Sequence, residues 1–348
     1  MTSSRGRANA FFATSANAAR RLRLAYLKAR RELRQRQRGV WSLNLALQGG
    51  GALGAFTWGA LDRLLQEPAL RVCALSGASA GAMNAAVLAT GMVHGGRFGA
   101  RQALRAFWSD VAHVAALAQL LLSPLALGRQ GSFFKQWFRP GSAHAFNALN
   151  AQPLRDIVAR HVDIDALRGA GAPRLYVSAT NVLSGQARIF TNPELSIDVL
   201  CASACIPVLH PTVTIDGTPY WDGGLSANPP LMPLLASKAE RTLLIRLIQA
   251  GADATPTDAA GVDAYLKKML FGRPLDAELA RWSLLSDARL DMIDAAPTVS
   301  ADILRDVPTP HLVNDLFDAG RRAMADYLTL NQARAGRRRR TPPQRQAA

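Results

Sequence analysis

The sequence predicts an α/β fold: a central, mostly parallel sheet flanked by helices, followed by a helical C-terminal region. Three observations predict it. Twice within the first hundred residues an apolar run of strand length stops at glycine and gives way to helical spacing. Glycine-bearing turns close three of the predicted strands. Finally, 49% hydrophobic against 19% charged residues in a chain of 348 supports the large core that such a sheet requires. No internal repeat is present.

The elements follow in order. "WSLNLALQ" (41–48) is short, apolar and ends at glycine, as a buried parallel strand does. "GAFTWGALDRLLQE" then places Phe56, Leu61, Leu64 and Leu65 at helical spacing. A second strand, "RVCALSG" (71–77), runs into the small-residue helix "ASAGAMNAAVLATG", which ends at Gly91. Strand, glycine turn, helix, strand, sharp turn, helix is a right-handed α/β unit. Helical and loop material follows to about residue 170, with an aromatic, basic stretch "GSFFKQWFRPG" at 131–141. "RLYVSATNV" (174–182) alternates as a strand, and "GQARIFTN" (185–192) is its antiparallel neighbour. "SIDVLCASACIP" is a helix closed by Pro207, and Asp216-Gly217 within "VTIDGTPYWDGG" (213–224) is a strong hairpin signal. "RTLLIRLIQ" (241–249) is a further interior strand, and the pattern from 260 to 330 is helical throughout. These elements divide the chain into a basic tail (1–39), a main α/β domain (40–236), a last strand with packed helices (237–330) and a second basic tail expected to be disordered (331–348).

Charge is confined to the ends. Residues 1–39 carry eleven Arg/Lys against one acid, residues 331–348 carry six Arg and no acid, and residues 40–330 balance 24 basic with 24 acidic residues. The net +16 therefore gives no specific nucleic-acid surface on the body. A basic helix within 16–38, with Leu22, Tyr26 and Leu33 on roughly one side, suits either a solvated tail or peripheral contact with anionic membrane; an Arg-rich organellar transit peptide is a third reading. No uninterrupted apolar run reaches membrane-spanning length; the closest, 111–127, is broken by His113, Gln119 and Pro124. The 111–147 region suits an acyl pocket, an interfacial lid or ordinary core helices. Cys73, Cys201 and Cys205 give no disulfide framework and no paired metal spacing, so a reducing, cytoplasmic setting is expected and the pair four apart reads as buried small hydrophobes.

The chemistry concentrates where glycines meet strand ends. Gly77-Ala78-Ser79-Ala80-Gly81 has the G-x-S-x-G spacing of a nucleophile elbow, in which small neighbours permit a strained turn that lifts a serine hydroxyl to a helix N-terminus. Ser79 is the candidate nucleophile. Gly49, Gly50, Gly51 and Gly54 supply main-chain amides free of side chains at another helix start, the chemistry of an oxyanion hole. The same glycines also fit a dinucleotide fingerprint, but the next strand ends in Ser76-Gly77-Ala78-Ser79 where a ribose-binding acid is needed. Among six histidines only His311 follows Asp222 in the order of an ordinary Ser, Asp, His triad, and it lies at a loop-to-helix junction; His210, beside Pro211, reads as packing or surface. Asp222, ending a strand before Gly223 and Gly224 and preceded by Tyr220 and Trp221, admits two readings: a shielded base for the serine, or a turn aspartate capping "GGLSANPP".

"GGGALG", "GASAG" and "DGG", in that order over about residues 43–235, resemble the patatin-like phospholipases, lipid acyl hydrolases with a Ser-Asp dyad and a glycine-rich oxyanion loop. "CASACIPVLHP" resembles the small-residue helix and proline turn of that family. The resemblance implies the patatin-like three-layer fold, Ser79 as nucleophile, Asp222 as proton acceptor, Gly49, Gly50, Gly51 and Gly54 as the oxyanion motif, and Gly77, Gly81, Gly223 and Gly224 as the motif glycines. It implies an acyl-ester lipid as substrate, with no metal and no organic cofactor. One departure is Leu53, where many members carry Arg or Lys; it removes charge assistance from that position. An acyltransferase using the same acyl-serine, and a noncatalytic lipid-binding scaffold, are the alternatives.

Overall fold

The computed structural model describes residues 41–126, 153–207, 210–251, 255–295 and 309–340. The expected basic helix within 16–38 and the stretch 131–141 lie outside them. The chain packs as two units, Met1–Ser42 with Ala69–Arg71, and Leu43–Pro68 with Val72–Ala348. In the first, the Trp41 amide donates to the Ala69 carbonyl at 2.9 Å.

Eight strands form one mixed sheet: β1 (Trp41–Leu47), β2 (Leu70–Gly77), β3 (Arg174–Asn181), β4 (Ala187–Thr191), β5 (Val213–Ile215), β6 (Thr218–Asp222), β7 (Arg241–Arg246) and β8 (Leu290–Asp294). Their order is β5-β6-β3-β2-β1-β7-β8, with β4 also paired to β3. β7 runs parallel to β1 and to β8, and β2 runs parallel to β3, while β4 and β6 are antiparallel to β3 and β5 to β6. The hairpin between β5 and β6 turns on Asp216 and Gly217, at φ 47° and 75°, the left-handed conformation that an Asp-Gly pair adopts at little cost.

β8 departs from the helical pattern expected over 260–330. Its residues "LDMID" alternate as a strand does, but their acids and short length hide an edge strand that is defined by pairing with β7. The remaining described helices are α1 (Gly54–Leu64), α2 (Ala80–Ala126), α3 (Pro153–His161), α4 (Ile164–Arg168), α5 (Ile197–Ser203), α6 (Ala259–Leu285) and α7 (Pro310–Arg340). α7 carries helix past Asn331, through residues expected to be disordered. α2 does not stop at Gly91. It kinks at Gly95 and Gly96, and a side chain at Gly91 would run into the Gly99 and Ala100 backbone, so this glycine marks a close crossing of two helical segments and not a helix end.

α1 is buried along nearly its whole length, and Phe56, Leu61, Leu64 and Leu65 lie in the core. α7 clasps it: Gly59 leaves room for the Phe317 carbonyl and Gly320 for that of Phe56, while the Trp58 and Phe317 rings meet at 4.1 Å. Buried Asp62 of α1 accepts from Arg101 of α2 at 2.7 Å and from Arg321 of α7, tying three helices at one carboxylate. On the other layer, Leu275 and Trp282 of α6 pack against Ala46, Ala74 and Leu244 of the sheet. No helix among the described residues is long and apolar enough to cross a membrane.

Candidate active site

The site forms at the carboxyl ends of the parallel strands. β3 carries three partners on two flanks. β4 pairs with residues 176–180, overlapping both β2, which pairs with 174–177, and β6, which pairs with 179–181. β2 and β6 must therefore share the opposite flank, end toward end. Gly77 stands beside Val177 and Asp222 beside Ala179. Ser79 is two residues past Gly77 and Ala179 two past Val177, so one strand measures both groups to the same place.

Ser79 adopts φ 52°, a left-handed conformation unfavourable for a residue with a side chain. The turn is held from outside: the Ser79 amide donates to the Ser203 carbonyl at 3.1 Å and to the Ser203 hydroxyl at 3.0 Å. Gly81 is needed because any side chain there would strike the Leu47 carbonyl. The end of α5 also fixes the aspartate, whose amide donates to the Cys205 carbonyl at 2.8 Å. α5 and the turn after it thus hold nucleophile and carboxylate from one scaffold.

Asp222 is fully buried. Its Oδ1 accepts the Gly224 amide at 2.7 Å, and Thr180 donates to its carbonyl at 2.7 Å. Burial pushes the carboxyl up to about 7, against the opposing pull of the Ser79 hydroxyl and the Gly224 amide. Oδ2 has no partner of full hydrogen-bond geometry. Ser79 is thus near enough to act on the carboxylate electrostatically, and the contact is looser than a tight hydrogen bond, as is common before substrate binds. Asp222 combines both sequence readings: it caps the Gly223–Leu225 turn and it faces the serine. Gly223 is pressed against Ser178, leaving no room for a Cβ. Tyr220 shares the buried face with Asp222, whereas Trp221 points the other way and bonds Thr212 at 3.0 Å, so only the tyrosine can shield the carboxyl.

The glycine loop divides its labour. A Cβ on Gly49 would come within 2.8 Å of the Ser79 Cβ, and the Gly49 amide is taken by Asn228 Oδ1 at 2.7 Å. The Gly50 and Gly51 amides donate to no backbone acceptor among the described residues, and Gly51 sits at φ 58°. Gly54 starts α1 and packs on Ala80 and Trp108; its carbonyl accepts from Asn84 at 3.0 Å. Leu53 is buried.

Sequence reasoning missed Asn228, Gln48 and Ser203. Asn228 is fully buried and its Nδ2 donates to the Phe271 carbonyl at 2.7 Å, joining the glycine loop to α6. Gln48 accepts the Leu247 and Ile248 amides at 2.6 and 2.8 Å, closing β7 onto β1. Asn228 lies four residues beyond Gly224, a polar side chain in the apolar stretch "ANPPL", and that was its only sequence signal. His94, His161 and His311 pair with Asp163, Asp110 and Asp315, and burial pushes His210 down. Cys205 is raised to about 11 by burial, which removes it as a thiolate nucleophile at neutral pH. No cluster of His, Cys, Asp and Glu suited to a metal is found among the described residues.

A family model described as patatin-like phospholipase matches residues 45–235. Among solved structures, VipD from Legionella pneumophila is similar at 15% identity, with 83% of this chain and 67% of that chain covered and a TM-score of 0.40. The type III effector ExoU is similar at 17% identity, covering 82% of this chain and 53% of that chain with a TM-score of 0.33. ExoU in its heterodimeric complex with SpcU from Pseudomonas aeruginosa matches at 17% identity and 0.31, over 83% and 52%. The chain spans about half the length of the ExoU chains. No curated protein sequence matches.

Proposed function

The chain belongs to the patatin-like phospholipase family, and from that membership we propose that it is a serine esterase that cleaves acyl esters of lipids through a Ser79–Asp222 dyad. One observation carries the reading: a serine strained at φ 52° faces a wholly buried carboxyl that titrates at about 7. A carboxylate so placed is basic enough to take a hydroxyl proton near neutral pH, where an ordinary aspartate is not.

In the mechanism, Ser79 Oγ attacks the ester carbonyl carbon as its proton passes to Asp222. The tetrahedral oxyanion is met by the amides of Gly50 and Gly51, while Gly49, bound to Asn228, sets the loop against the serine. Collapse expels the alcohol, which takes the proton from Asp222 and leaves an acyl-serine. Water then attacks the acyl group and gives its proton to Asp222; that proton returns to Ser79 Oγ as the fatty acid departs. Leu53 contributes no charge, so loop dipoles supply the anion stabilisation.

The test is a lipid ester panel, with a fluorophosphonate probe, applied to wild type, Ser79→Ala and Asp222→Asn. Wild type is expected to hydrolyse and to label. Ser79→Ala is expected to do neither, and Asp222→Asn to lose turnover while keeping its shape. A wild-type chain that neither labels nor hydrolyses any ester sinks the proposal.

A further inference from the structure

We propose that Asn84 is a positioning residue for the reaction: oriented by Trp108, it holds the Gly54 end of the glycine loop to the helix that carries Ser79, so that the loop amides are aimed before substrate arrives. The proposal rests on the esterase reading above and adds a residue to its machinery.

Between Ala80 and Ala89 the sequence holds nine small or apolar residues and Asn84. A helix interior favours alanine over asparagine, and a buried amide costs stability unless it is hydrogen-bonded. Asn84 is wholly buried. Both ends of its amide are used: the Trp108 indole Nε1–H donates to Oδ1 at 2.9 Å, and Nδ2 donates to the Gly54 carbonyl at 3.0 Å. An indole only donates and a carbonyl only accepts, so these two partners leave the amide one orientation. Trp108 is itself buried, and its ring leaves no room for a Cβ on Gly54. A Cβ there would also strike that of Ala80, the residue after Ser79.

Gly54 closes the turn that shapes the loop. Its amide donates back to the Gly51 and Ala52 carbonyls, and the Leu53 amide donates to the Gly50 carbonyl at 3.2 Å. In a planar trans peptide the N–H and C=O point opposite ways, so a Gly50 carbonyl drawn into the turn sends the Gly51 amide out of it. The other end of the loop is Gly49, whose amide is held by Asn228. Asn84 stands five residues past the nucleophile and Asn228 six past the carboxylate. Each member of the dyad is therefore tied to one end of the same loop, which keeps the donors and both reacting groups in one mutual geometry.

The full chain is assayed on p-nitrophenyl butyrate with two inhibitors. One is an alkyl trifluoromethyl ketone, to which Ser79 Oγ adds to leave an oxyanion; the other is the methyl ketone of the same chain, which binds without adding. Asn84→Ala is expected to lower kcat about ten- to a hundredfold with KM within about twofold. It is also expected to weaken the trifluoromethyl ketone by a similar factor while leaving the methyl ketone within about twofold. Trp108→Phe keeps Asn84 but removes the group that orients it, and is expected to repeat the pattern at about fivefold. Neither side chain is among the groups that bear on the Asp222 carboxyl, so the pH of half-maximal rate is expected to match wild type in both variants. If Asn84→Ala does not fold, Trp108→Phe decides on the same readouts. Wild-type kcat in a folded variant overturns the assignment. So does a loss in which the two ketones weaken alike or the pH midpoint moves, since that is general loosening of the site. A wild-type chain inert on every ester overturns the esterase reading and this role with it.

Discussion

The side chain of Ser79 is carried on a backbone that prefers glycine. Relief of that conformation is worth about 1 kcal/mol, so Ser79→Gly is expected to melt a few degrees above wild type by calorimetry while showing no esterase turnover. Asp222 makes a parallel argument through protons. Its folded carboxyl titrates at about 7, above the ordinary value of 3.8. Between those values the folded chain holds a proton that the unfolded chain has released, so stability falls as pH rises through the window and levels off above 7. Asp222→Asn lacks this loss, and its melting advantage over wild type is expected to be larger at pH 8 than at pH 5. Activity runs the other way: only the ionised carboxylate accepts a proton, so kcat/KM is expected to fall roughly tenfold per pH unit below about 7. The turns that carry both residues were legible in the sequence because elbow and turn chemistry are local. Ser203 was not, since its hydrogen bond to Ser79 crosses 124 positions and nothing near it announces the partner.

At the scale of elements, glycines decide how closely pieces approach. A methyl at Gly223 would drive into Ser178, and Gly223→Ala is expected to cost about 3 kcal/mol or more, read as a fall in denaturation midpoint or as insoluble protein. Asn228 fixes the glycine loop to α6 through both ends of its side-chain amide. Asn228→Ala is expected to lower kcat by about ten- to a hundredfold, with KM nearly unchanged and slower fluorophosphonate labelling, because the misplaced amides matter only once the oxyanion forms. The helices and most strands could be read from periodicity, and the Asp216-Gly217 hairpin from its turn residues. The kink at Gly95 and Gly96 and the strand Leu290–Asp294 could not: the first comes from two helical segments crossing at Gly91, the second from a neighbour supplied 45 or more residues earlier.

Across the whole molecule, three of the described helices, α1, α2 and α7, meet at a single carboxylate. Removing Asp62 would leave the Arg101 and Arg321 guanidiniums without their shared partner, and because both are partly exposed to water Asp62→Ala is expected to destabilise by about 1–3 kcal/mol in chemical denaturation. The succession of apolar runs, glycine turns and helical spacing foretold the α/β class, and the placing of charge the neutral body, yet strand order was illegible, because β7 inserts between β1 and β8 through contacts that no local pattern encodes. That order has a consequence for synthesis. The flank of β3 receives β2 from about a hundred residues upstream and β6 from about forty downstream. A ribosome-bound chain displays the Ser79 hydroxyl long before the Asp222 carboxylate emerges, and under the proposed dyad it is expected to be inert toward lipid esters until then. Pairing β6 one position out of step would turn Asp222 to the opposite side of the sheet, giving a well-hydrogen-bonded but silent protein, so activity itself reports that the last register was set correctly.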